Sequence, residues 1–185
     1  MTPYAPFYCE ENIWHLAHAG AIDAVVFISN PAQQVAFFAQ RQAKTTTDAI
    51  MWDYHVIGAT FGTVDNAALI WDLDTRLPCP CPAETYLAMT FPALPAKYAH
   101  VLPWFRLIPS VEFIAGFASD RRHMRATNGA WLKPPPPWPC IRASSGAVHT
   151  LPAFVGMSSA AGNNAALGRV FPAPATEALS AALLR

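Results

Sequence analysis

Apolar and polar positions divide this chain into short segments whose spacing changes character along its length. Beyond Cys9, the apolar residues Ile13, Trp14, Leu16 and Ala17 recur at helical spacing. Glu10 and Glu11 suit a first helical turn, so a helix is predicted from Cys9 to about Ala19, ending near Gly20. Ala24–Asn30 is a continuous apolar run, predicted as a buried strand, with Gln33–Gln40 as its neighbour. Ile50 to Thr75 reads as a hairpin. Its strands carry Trp52–Val56 and Ile70–Thr75, and Gly62, Asp65 and Asn66 mark the connection. Pro78, Pro80 and Pro82 then exclude a helix or a central strand. Further on, Ala83–Met89 is predicted as a short helix and Leu102–Ile108 as a strand. Ser110 can cap a helix from Val111 to Ala118, and Pro134–Pro137 is a stiff polyproline strap. Thr176 can cap a last helix to Leu184.

The hairpin carries candidate chemistry. Folded about Thr63–Val64, it sets His55 opposite Asp72, and opposed residues on antiparallel strands have Cβ atoms roughly 4.5–5.5 Å apart. A carboxylate at that distance fixes the tautomer and orientation of an imidazole. Strand alternation sends Asp74 to the same face as Asp72, so Asp74 competes for the orienting role, although the hairpin symmetry favours Asp72. The candidate nucleophile is Cys9, at a helix N-terminus that lowers a thiol pKa, as does a neighbouring imidazolium. Each residue also has a plainer reading. Cys9 can be a small buried hydrophobe, His55 a hydrogen-bonded core histidine and Asp72 a turn cap. The cluster Asp120, Arg121, Arg122 and His123 reads as a salt-bridged loop or as the lining of a substrate mouth. Trp14, Trp52, Trp71 and Trp131 are expected in the core, with one of them walling the site. His15 and His18 are expected to face solvent. His100 and His149 show no ligand spacing with any cysteine, which argues against a metal site.

Composition narrows the function classes. The chain has 185 residues, 53% hydrophobic and only 13% charged, which excludes a disordered chain and predicts one domain, placed over 1–157, with an Ala-rich tail over 158–185. Lys+Arg and Asp+Glu number 12 each, and no basic run points to nucleic acid or an anionic membrane. With no secretory signal evident, a cytoplasmic monomer is expected. Cys79, Cys81 and Cys140 are then expected to be reduced and mostly buried, and four free thiols are predicted in all.

The strings YCEENIW (Tyr8–Trp14), WDYHV (Trp52–Val56), DLDT (Asp72–Thr75), FASDRRHM (Phe117–Met124) and PPPPWPC (Pro134–Cys140) resemble, in order, the protein N-terminal glutamine amidohydrolase family. The resemblance runs from about Tyr8 to about Phe154; Ser145 departs from it, standing where an aromatic is expected. It implies an α+β fold of the papain/transglutaminase-like thiol hydrolase class, with an antiparallel sheet flanked by helices. It also implies conversion of an N-terminal Gln to Glu with release of ammonia, and no cofactor. The family's catalytic Cys, His and Asp match Cys9, His55 and Asp72. The implied substrates are peptides and proteins with N-terminal Gln, and the Glu product would suit a first step of an N-degron pathway. Specificity for a free N-terminus calls for a carboxylate to hold the α-ammonium; Glu10, Glu11, Asp53 and Asp74 are the acidic residues nearest the candidate triad, and Glu10 and Asp53 are favoured because each adjoins a catalytic residue. The same triad would serve an internal-glutamine deamidase or a transglutaminase-like transferase, and the proline strap would serve an idle interaction module.

Overall fold

A computed structural model describes residues 3–63, 65–157 and 165–184. Its centre is a six-stranded sheet in the order β6-β5-β4-β1-β7-β8, with every pairing antiparallel. The strands are β1 (Ala24–Ser29), β4 (His55–Thr60), β5 (Leu69–Trp71), β6 (Cys81–Pro82), β7 (Trp104–Pro109) and β8 (Arg169–Phe171). All six residues of β1 are buried, which accounts for its unbroken apolar run: the strand is covered on both faces. Val25 and Phe27 pack with Ile13 and Leu16 of α1 (Cys9–His18), Phe113 of α3 (Ser110–Gly116) and Phe154 of α4 (Leu151–Val155). Val26 and Ile28 pack on the opposite side with Tyr86 and Leu87 of α2 (Ala83–Thr90) and Leu179 of α5 (Thr176–Ala182). Each such large apolar side chain, once buried, contributes roughly 1.5–3 kcal/mol. The α+β class and the antiparallel sheet flanked by helices are therefore as expected.

Several local expectations change. Gln33–Gln40 does not neighbour β1; β2 (Val35–Phe37) pairs instead with β3 (Ile50–Trp52) in a separate two-stranded sheet. The predicted strand Trp52–Val56 is broken by a bend at Asp53, so β3 ends at Trp52 and β4 begins at His55. Ser110 does not cap α3 from outside; it lies within the helix and its hydroxyl donates to the Ile22 carbonyl. Thr176 likewise opens α5 without a side-chain cap. Cys81 is buried but Cys79 and Cys140 are exposed, and all four cysteines are free. Trp131 is exposed, with the Arg125 guanidinium over its ring, and His15 is half-buried against Trp138 rather than facing solvent. A buried arginine that no motif marks, Arg106 of β7, donates to the carbonyls of Phe154, Gly156 and Leu167 and ties the chain after α4 to the sheet. No helix among the described residues is long and apolar enough to cross a membrane.

Candidate active site

Helix α1 starts at Cys9, so the thiol sits at a helix N-terminus as predicted. His55 opens β4, and Asp72 follows the last residue of β5. His55 Nε2 lies 2.9 Å from Asp72 Oδ1, and both side chains are buried. The predicted pair is present, but a different geometry makes it. The observed register aligns Gly58 with Trp71 and Thr60 with Leu69. Carried three residues past Trp71, that alignment would set His55 opposite Asp74. The chain turns after Trp71 instead, and the Asp74 N–H donates to Asp72 Oδ1 at 2.9 Å, an Asx-type turn that carries Asp72 to the imidazole. Of the expected turn at Thr63–Val64, Val64 lies outside the described residues.

Asp72 is held from every side. Its Oδ2 accepts from Tyr86 Oη at 2.8 Å and from Gln40 Nε2 at 3.2 Å. Burial pushes its carboxyl up, but the His55 charge and hydrogen bond, the Asp74 N–H and the Tyr86 hydroxyl outweigh that and hold it below its ordinary value. Burial likewise pushes His55 down, and the Asp72 charge and hydrogen bond, with Asp74 and Glu10, more than offset it, so the imidazole is raised. With Asp72 ionised, Nε2 carries the ring proton and Nδ1 is the nitrogen left for proton transfer. The ring is packed against Trp52 at 4.8 Å and Phe37 at 5.7 Å between centroids, which fixes its plane. Neither Gln40 nor Tyr86 carries a local sequence signal, because each meets Asp72 only through tertiary packing.

Cys9 and His55 line one cavity of about 400 Å³, with Trp52, Asp53, Tyr54, Asp74 and His123 in its wall. Trp52 is thus the tryptophan that walls the site. The Cys9 environment differs from the expectation of a lowered pKa. Burial, then the negative charges of Glu10 and Asp74, push the thiol well above its ordinary value, against the lowering effect of a hydrogen bond from the Val56 N–H. Its Sγ donates to Glu10 Oε2 at 3.6 Å. The helix N-terminus is there, but burial, with a carboxylate one residue on, outweighs it.

The candidate ammonium ligands separate. Asp53 and Asp74 line the cavity; Asp53 is exposed, whereas Asp74 is buried and accepts from Tyr4 Oη at 2.7 Å. Glu10 is fully buried: Oε2 also accepts from Tyr54 Oη at 3.2 Å, and Oε1 faces His123 Nε2 at 3.3 Å. The polar cluster after α3 splits between its two readings. Arg121 forms a buried ion pair with Glu11, Asp120 pairs with Arg122 near the surface, and His123 reaches the cavity wall. His55, Asp72 and Asp74 offer donor atoms within 4.8 Å of one another. Those atoms already satisfy each other and Tyr4, so we read the set as a hydrogen-bonded orienting group for the imidazole.

The family model of N-terminal glutamine amidase matches residues 4–179. A protein N-terminal glutamine amidohydrolase of Arabidopsis thaliana is 36% identical over 168 residues, covering 85% of this chain and 76% of the relative. One of Drosophila mojavensis is 35% identical over 170 residues, covering 88% and 82%. A buried His–Asp pair sharing a cavity with a helix-terminal cysteine, inside a match that spans the sheet and its flanking helices, places this chain in the N-terminal glutamine amidase family.

Proposed function

We propose that this protein deamidates N-terminal glutamine of peptides and proteins to glutamate, with Cys9 as nucleophile, His55 as general acid and base, and Asp72 as the residue that orients His55. The observation that carries this reading is the buried 2.9 Å His55–Asp72 pair opening onto the cavity that Cys9 also lines. His55 Nδ1 takes the thiol proton, and Sγ attacks the side-chain amide carbon of the substrate. The tetrahedral intermediate collapses as His55 protonates the departing nitrogen, releasing ammonia and leaving a thioester. His55 then deprotonates water, which attacks the thioester and frees Glu and the thiol. The backbone N–H of Cys9 is one oxyanion donor. Asp53 and Asp74, the two carboxylates on the cavity wall, take the α-ammonium. A helix-borne Cys followed by His and Asp at adjacent strand ends also supports the papain/transglutaminase class. The Glu product suits a first step of an N-degron pathway.

Four peptides with one downstream sequence test the reading: Gln-first, N-acetyl-Gln-first, Asn-first, and one with Gln at the second position. Ammonia release is expected from the first alone, because Asn is one methylene too short to bring its amide carbon to Cys9. Comparable turnover of the acetylated or second-position peptide would replace this reading with an internal-glutamine deamidase.

A further inference from the structure

The buried carboxylates of the site carry more negative charge than the imidazoles paired with them can balance. Three carboxylates, Glu10, Asp72 and Asp74, are 0%, 1% and 8% exposed around one thiol. The imidazoles facing them are His55 on Asp72 and His123 on Glu10. Even with both protonated, three carboxylates against two imidazolium ions leave one negative charge over. The hydroxyls of Tyr4, Tyr54 and Tyr86 and the Gln40 amide that face the cluster are neutral donors, and the exposed Asp53 adds a further carboxylate at the cavity wall. Among the described residues no lysine or arginine forms an ion pair with these three carboxylates. Arg121 is bound to Glu11, Arg41 Nε donates to the Thr75 carbonyl, and Lys133, exposed on the wall of the same cavity, lies over the Phe7 ring. Glu10 Oε1, fully buried, accepts no hydrogen bond from the described residues, and neither do the His123 ring nitrogens make one. A buried charge left unbalanced is costly, and the Cys9 thiol donates its hydrogen bond to Glu10 Oε2.

We propose that the α-ammonium of the substrate is the counter-ion this cluster lacks, and that its arrival releases the Cys9 proton from the hold of Glu10 to His55. The inference rests on the amidohydrolase reading above. At rest, ionising the thiol would add a fourth negative charge beside Glu10 and Asp74, so Cys9 stays protonated and weakly nucleophilic. An ammonium at the cavity wall pairs with Asp74 and neutralises one of those charges. The S–H bond then breaks, its proton passes to His55 Nδ1, and a thiolate–imidazolium pair forms with no net change in charge. The free N-terminus thus does more than anchor the substrate: it arms the nucleophile. Internal glutamine brings no cation and meets an unarmed thiol.

Alkylation of Cys9 in the full chain by iodoacetamide, followed at pH 7 by mass spectrometry of the Cys9 peptide, reads the armed state directly. Methylammonium serves as the cation probe and methanol as its neutral counterpart. Methylammonium is expected to speed Cys9 alkylation about tenfold, the effect of one pKa unit on the thiolate fraction, and methanol to leave the rate alone. Glu10→Gln is expected to alkylate faster than the natural protein without any cation, and to gain less from methylammonium. Should methylammonium fail to accelerate Cys9 alkylation in the natural protein, the proposal falls, whatever Glu10→Gln does. Ammonia release from a Gln-first peptide by the same preparation keeps the two readings apart. Turnover without a methylammonium effect removes the switch and leaves the amidohydrolase. No turnover removes the amidohydrolase, and with it the proposal that its substrate arms the thiol.

Discussion

Glu10 and Glu11 are neighbours on the first turn of α1, and both are completely buried, yet their surroundings differ in kind. Glu11 is matched group for group. Arg121 Nε and Nη2 approach its two oxygens at 2.9 and 2.8 Å, and Trp138 Nε1 adds a third donor at 2.7 Å. The same guanidinium reaches the carbonyls of Pro136, Trp138 and Pro139, so one buried ion pair clamps the polyproline strap onto α1. Glu10 has a thiol, a phenol and a poorly aligned imidazole, and one of its oxygens takes no hydrogen bond from the described residues. A fully matched buried charge stiffens a structure, whereas an undermatched one beside a nucleophile holds back energy that a ligand can release. The strap side of the helix therefore reads as a buttress and the Cys9 side as the working face.

That contrast is sharpest where activity and stability are measured on the same variants. Cys9→Ser and His55→Ala should each lower ammonia release from a Gln-first peptide on the order of 10⁴-fold, since triad members act as a unit. The thermal melt of Cys9→Ser should stay close to that of the natural protein, whereas His55→Ala also leaves the buried Asp72 without its charge partner and should melt lower; a Cys9→Ser variant with undiminished turnover would remove Cys9 as nucleophile. Glu11→Ala and Arg121→Ala should do the reverse. Breaking a buried pair costs about 3–5 kcal/mol, read as a loss in the denaturant midpoint, while turnover per folded molecule persists. Equal damage to turnover by Arg121→Ala, at temperatures where it is folded, would erase the distinction between buttress and working face.

Smaller effects separate Asp72 from Asp74. Asp72→Asn should cost less than losing His55, because it disturbs the tautomer without removing a reacting group. Asp74→Asn, which removes an ammonium ligand, should raise KM and cost less again in kcat, and the opposite order in kcat would move the orienting role to Asp74. The pair also has a signature in pH. The Asp72 carboxyl is lowered in the folded state, so its contribution to stability is fully present above its unfolded value of about 3.9 and is lost as pH falls through the folded value. The raised His55 contributes fully below about 6.5, and that share is lost as pH rises through its folded pKa. A melting curve against pH should show both limbs, and Asp72→Asn should flatten them. Smallest of all is Arg122→Ala: its pair with Asp120 is largely exposed, so melting temperature and turnover should both stay within error.

Much of this was legible along the chain, because much of it is local. The apolar run of Ala24–Asn30, the helical spacing after Cys9 and the acidic first turn each specify an element through neighbours in sequence. The pairing of His55 with Asp72 was legible too, though the register argument behind it was two residues off, and a turn corrected the difference. What only the tertiary structure decided is the electrostatic character of the site. Gln40, Tyr86 and His123 come from distant segments, and nothing local marks them as neighbours of Asp72 or Glu10. Nor can an acidic first turn reveal that Glu11 will find an arginine 110 residues away while Glu10 finds none. Sequence sets which residues can ionise; burial and the charges that packing brings within a few ångströms set which of them do.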